Sequence, residues 1–137
     1  MEVAGHEFPH LEHEPYDSDW LNIHVRVTHP RGAWSKTDPC LLTYELAQLV
    51  AWLNSIAEDS PAHAEEEFLE PELRFEWFGE DKNILRVYLD YSLRPTWSPA
   101  NEEEELFVEF AVTPEDLREA AASLRDDLQM FPVRVEM

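Results

Sequence analysis

The chain has 137 residues, and its 30 Asp and Glu against 10 Lys and Arg give a formal charge of −20 at pH 7. A chain this acidic is repelled by a nucleic-acid backbone, which is bound through clustered cations, and by anionic lipid. Its 44% hydrophobic and 12% aromatic content excludes simple disorder, and its length predicts one domain around one core.

Cys40 is the single cysteine, so no internal disulfide can form and a reducing compartment is expected. The first residues, Met1 to Glu7, lack the apolar run of a secretory signal. Apolar stretches break off far short of the roughly 20 residues a membrane span needs. These features predict a soluble, cytoplasmic protein.

Residues 1–19 carry six acids and no Lys or Arg, and Pro9 and Pro15 oppose helix, so the segment reads as an acidic arm with room for a short strand. Leu21, Ile23, Val25 and Val27 then alternate with polar or aromatic neighbours, the period of a half-buried strand. His29-Pro30-Arg31-Gly32 supplies a turn, and a second strand is expected from Ala33 towards Leu41, ending around Pro39.

A helix over 44–58 follows, with Thr43 as its expected N-cap and Glu45 in the first turn. Leu46, Leu49, Val50, Leu53, Ile56 and Ala57 give it an apolar face, and Asp59-Ser60-Pro61 ends it. Segments 68–78 and 84–94 read as a hairpin around Gly79 to Asn83, with Leu85, Val87, Leu89, Tyr91 and Leu93 on one side of its second strand. Arg86, Tyr88, Asp90, Ser92 and Arg94 take the opposite side. Leu106, Val108, Phe110 and Val112 mark a further strand.

The last helix carries the plainest signals. Thr113 caps it, Pro114 takes the first helical position, and Glu115 and Asp116 complement the dipole. Leu117, Ala121, Leu124, Leu128 and Phe131 form its apolar stripe, Pro132 stops it, and Val133 to Val135 can add an edge strand. The order predicts an α+β domain spanning 1–137, with a mostly antiparallel sheet of about five strands and two amphipathic helices on one face.

Catalytic patterns are weak. His6, His10 and His13 share the arm with Glu7, Glu12 and Glu14, but their spacing matches no zinc motif, and a solvated or tag-like polar arm explains them better. His24 and His29 fit a surface or hydrogen-bonded role on a strand. The carboxylates fall mostly in solvated runs, which lack the pocket that raises one acid's pKa in glycoside hydrolysis. Cys40, between Pro39 and two leucines, reads as a packed side chain rather than a nucleophile. Gly5, Gly32 and Gly79 each stand alone, so no phosphate-cradling loop exists. No catalytic residue, cofactor or metal is assigned, and a small-molecule or metal-dependent enzyme is kept only as a remote option.

The charge distribution is more informative. Residues 20–42 carry three cations against Asp38, a balance of +2, whereas residues 65–105 carry four cations against thirteen acids, a balance of −9. The acids gather in Glu65, Glu66 and Glu67, in Glu80 and Asp81, and in Glu102, Glu103, Glu104 and Glu105. Trp97 lies between the last two groups, and an aromatic within a charged rim is a common interface anchor. The competing expectation is that these acids serve solubility and Trp97 packs on the sheet.

One stretch resembles a known family. Asp17-Ser18-Asp19-Trp20-Leu21-Asn22-Ile23, then Trp34-Ser35-Lys36-Thr37-Asp38-Pro39-Cys40-Leu41-Leu42-Thr43-Tyr44-Glu45, then Trp52-Leu53, is similar to the WapI-type immunity proteins, small bacterial proteins encoded near polymorphic or contact-dependent toxins. Glu70 to Phe75 and Arg86 to Asp90 extend the likeness over most of residues 17–95, with the Thr-Asp-Pro-Cys block its distinctive part. The resemblance implies a non-enzymatic protein that binds a cognate toxin inside the producing cell, and it transfers no catalytic residue. Thr37, Asp38 and Pro39 have the chemistry of a tight turn, so the recognisable block reads as architectural and the acidic loops as the binding surface. A toxic nuclease carries a basic cleft, which an acidic inhibitor can occupy with fast, salt-sensitive association. The alternative partner is another basic host protein, bound by a nucleic-acid mimic or adaptor.

Overall fold

Burial alternates along the first long strand as its sequence requires, with Leu21, Ile23, Val25 and Val27 inside and Arg26 and Thr28 exposed. The computed structural model describes residues 1–6, 20–61, 63–79, 82–95, 97 and 105–130, with backbone alone for 4–6. Strands β1 (Glu2–His6), β2 (Trp20–His29) and β3 (Gly32–Leu42) form one antiparallel sheet in that order. Helix α1 (Thr43–Ala57) leads to a second antiparallel sheet of β4 (Glu65–Glu66), β5 (Leu73–Phe78), β6 (Ile84–Leu89) and β7 (Phe107–Ala111). Helix α2 (Pro114–Met130) follows.

The α+β class stands, but among the described residues seven strands in two sheets replace the single sheet of about five. The two additional strands are β4, whose two residues are too few to show a period, and β1, the short strand for which the acidic arm left room. The hairpin's second strand also stops sooner than expected. At Asp90 the backbone leaves the sheet for a 3-10 turn at Tyr91–Leu93, where Tyr91 adopts φ 46°. The Asp90 carboxylate accepts from Tyr91 N at 2.8 Å and from Arg94 Nε at 2.8 Å, fixing that exit. Tyr91, Ser92, Leu93 and Arg94 therefore do not extend the alternation of β6.

The distinctive block is the larger revision. It was expected to make a tight turn, yet Thr37 to Leu42 continue β3. Leu21 pairs with Leu41 and Ile23 with Asp38, so Pro39 and Cys40 together oppose only Asn22. One extra residue on one strand is a β-bulge, and a bulge on an edge strand tolerates a proline that cannot donate to the ladder. The bulge delivers Cys40, Leu41 and Leu42 to the core, all at most 1% exposed.

Helix α1 is capped differently from expectation. Leu42, extended at φ −84° and ψ 157°, occupies the N-cap, and Thr43 is the first helical residue. The Thr43 hydroxyl is fully buried and has no hydrogen-bond partner among the described residues. Helix α2 begins as read: Asp116 N donates to Thr113 Oγ1 at 3.1 Å and Thr113 N to Asp116 Oδ2 at 2.9 Å, a reciprocal cap. The helices pack on each other. One buried cluster unites them with both sheets, through Leu46, Leu49 and Leu53 of α1, Leu117, Ala121 and Leu124 of α2, Ile23 and Val25 of β2, and Leu73, Phe75, Leu85 and Leu89 of the second sheet. Phe131 and Val133 to Val135 lie outside the described residues. No helix among the described residues is long and apolar enough to cross a membrane.

Candidate functional site

The second sheet has two unlike faces. Leu73 and Phe75 of β5, Leu85 and Leu89 of β6, and their neighbours turn inward to the core. The register places the intervening residues together outside: Arg74 opposite Tyr88, Glu76 opposite Arg86, Phe78 opposite Ile84, and across β6 and β7 Arg86 opposite Glu109 and Tyr88 opposite Phe107. Glu65 of β4 pairs with Glu76 and joins the same face.

These side chains form a connected network. Arg86 holds the Glu109 carboxylate through Nε at 3.0 Å and Nη2 at 2.8 Å, and its Nη1 donates to the Tyr88 hydroxyl at 3.0 Å. Tyr88 donates in turn to Glu76 Oε1 at 2.6 Å. The Arg86 guanidinium lies over the Phe107 and Phe78 rings, and Arg74 sits 3.6 Å above the Tyr88 ring. Arg74 also reaches Glu65 at 3.7 Å and Glu105 at 3.3 Å. Burial first, then the bond to Glu76, raises the Tyr88 hydroxyl above its ordinary pKa, keeping it a neutral donor. Two cations thus lie among four acids, with aromatic rings filling the centre. Such a face is amphipathic and net negative.

The acids singled out by charge alone separate in space. Glu65 and Glu105 reach this face, and Glu67 is exposed just beyond β4. Glu66 does not join them: it is 8% exposed, its register partner is the inward Phe75, and its carboxylate lies 3.5 Å from His63 Nε2. Adjacent residues of a strand point to opposite sides, which breaks the acidic triplet apart. Glu80, Asp81, Glu102, Glu103 and Glu104 lie outside the described residues, as do His10 and His13, while His6 is placed in β1 by its backbone.

Trp97 is half-buried on the tip of the first hairpin. It stands edge-on to Trp34 at 5.4 Å, tilted to His29 at 6.1 Å, with Arg31 4.8 Å from its ring. Its indole covers Gly32, whose φ of 148° is a left-handed conformation, and a Cβ there would meet Trp97 Nε1 at 3.3 Å. Those described partners belong to the mildly basic segment rather than to an acidic rim. Sequence reasoning missed the central residues of the sheet face, Arg74, Arg86 and Phe107, as a group. Alternation did place Arg86 and Tyr88 on one side, and only strand pairing brings Arg74, Phe107 and Glu109 beside them.

Cys40 is fully buried, and desolvation raises its thiol far above the ordinary range, with the Asp38 and Glu72 charges adding to it. It is a packed residue. With the geometry in place, comparison with known families is decisive: the model of the immunity protein WapI-like family matches residues 1–132. The chain belongs to this family. Membership points to a toxin-neutralising role and a toxin as partner, and immunity proteins are generally non-catalytic. No curated protein and no solved structure gives a match. The WapI-like family thus covers β1, the bulged block and both helices, a longer span than the 17–95 resemblance.

Proposed function

We propose that this WapI-like chain is a non-enzymatic, cytoplasmic immunity protein that neutralises a basic, nuclease-type bacterial toxin by covering its cationic cleft. The observation that carries the reading is the outer face of the second sheet, where a locked aromatic and arginine centre is bordered by Glu65, Glu76, Glu105 and Glu109. Tyr, Phe and Arg are enriched at interface centres, and their mutual contacts here remove much of the ordering cost of association. The surrounding acids, with a net charge of −20 behind them, attract a basic partner and accelerate encounter. Glu102 to Glu104 precede Glu105 in sequence, and Glu80 and Asp81 fall between β5 and β6; from sequence position alone, these acids are proposed to contribute to binding. Trp97 belongs to the hairpin-tip cluster, and the proposed face does not require it.

The test is co-expression with a candidate cognate toxin from the same genome. Cells producing the toxin should survive when the chain is present, and lose that protection when Glu105 and Glu109 are both changed to Lys. Continued killing despite a well-folded wild-type chain, with capture of an unrelated basic host protein, would instead support the mimic or adaptor reading.

A further inference from the structure

Behind the β4 edge lies a recess of about 500 Å³, walled by Gln48, Trp52 and Ser55 of α1, by Ser60 and His63 of the connection, and by Glu66. Its walls are fixed by the way α1 ends. Asp59 adopts φ 56°, and Ser60 N donates to Ser55 O at 2.9 Å, folding the connection back along the helix. The Trp52 indole N–H then donates to the His63 carbonyl at 2.9 Å, and the His63 ring stacks on Trp52 with an interplanar angle of 18°.

The floor holds an acid in an unusual position. Glu66 is 8% exposed, and its one described ion-pair partner is the half-exposed His63 ring at 3.5 Å. A charge-assisted N–H···O contact closes to roughly 2.7–2.9 Å, so this pairing at 3.5 Å is a long one. Burial raises its pKa, and the His63 ring beside it acts in the opposite direction. Gln48, Ser55 and Ser60 add neutral polar side chains to the lining, and Trp52 adds an aromatic wall.

We infer that this recess receives an arginine side chain of the bound toxin, its guanidinium paired with Glu66 and its stem lying along Trp52. A planar fork of five donors suits one carboxylate surrounded by neutral oxygens better than a compact ammonium does. The inference rests on the toxin-binding reading and adds a second contact to it. Glu65 faces the sheet network and Glu66 the recess, so a partner wrapped over β4 engages both sides of one strand.

The isolated chain can be titrated with N-acetyl-arginine amide while the Trp52 indole N–H is followed by NMR. A saturable shift is expected there, absent with N-acetyl-norleucine amide and lost in Glu66→Gln. Ala51→Arg, at an exposed helical position on the recess wall, should also abolish it by supplying a resident cation. No shift, or the same shift in both variants, overturns the inference. With the toxin, both variants should weaken affinity at least about thirtyfold, the low end of the range for truncating a buried charge pair. Unchanged toxin affinity in both, alongside weakened binding by Glu105→Lys and Glu109→Lys, would overturn the recess while leaving the sheet face standing. The reverse pattern would retain the recess and refute the face.

Discussion

Glu45 shows how one side chain can hold the family's recognisable block in place. It is 4% exposed, and its two oxygens accept from Leu42 N at 3.0 Å and from Leu69 N at 2.7 Å. The first bond satisfies an N-terminal donor of α1, and the second ties the chain beyond β4 to that helix. Glu45→Ala orphans the buried Leu42 N–H and frees the part-buried Leu69 N–H, and should cost about 1–3 kcal/mol in urea denaturation, with Glu45→Gln intermediate because an amide oxygen still accepts. Thr43, the expected cap, behaves oppositely. Its buried hydroxyl has no described partner, so Thr43→Val should leave stability unchanged or raise it by up to about 1 kcal/mol. A loss of 2 kcal/mol or more would restore the capping role. Cys40 should react with a thiol reagent only after denaturation, since burial keeps it both covered and protonated.

At the scale of elements, legibility followed periodicity. α2 was readable because its cap, proline, acids and apolar stripe all agree, and the Thr113–Asp116 pair confirms the start. Thr113→Ala should therefore cost about 1 kcal/mol, read from the same denaturation curves. β2 and the tip of its hairpin were equally plain. What sequence could not show is pairing. Pro39 looks like a strand terminator until the register reveals a bulge, and only the partner strand shows that Pro39 and Cys40 share Asn22. The division into two sheets is a tertiary fact of the same kind. So is the sheet face: Arg86 and Tyr88 were visible as strand neighbours, whereas Arg74, Phe107 and Glu109 are brought to them by hydrogen-bonded ladders from distant segments. The acidic runs illustrate the converse, since local charge density grouped Glu65 with Glu66 and the pleat sends them apart.

For the whole molecule, acidity acts on both stability and binding. Glu45, Glu66 and Glu72 are all raised above the ordinary value of 4.5, with desolvation the largest cause of each. The folded chain therefore holds protons more tightly than the unfolded chain across a window opening upward from 4.5, so stability is lost as pH rises through the folded values and recovered as it falls. Relief of self-repulsion at −20 acts in the same direction. Calorimetry should show a higher Tm near pH 5.5 than near pH 8, a shift that Glu45→Gln diminishes. A lower Tm at pH 5.5 would contradict this assignment. The same charge should make toxin binding strongly salt-dependent, because exposed acids such as Glu65 and Glu105 are screened by ions. The central claim is that the outer face of the second sheet meets a basic toxin, and it is tested most directly by measuring toxin affinity at low and high salt for the wild type and for Glu105→Lys with Glu109→Lys. The expected result is tight wild-type binding that weakens steeply with salt, at least about tenfold weaker binding in the double variant, and a flatter salt dependence. A double variant that folds normally, with affinity and salt dependence equal to the wild type, would contradict it.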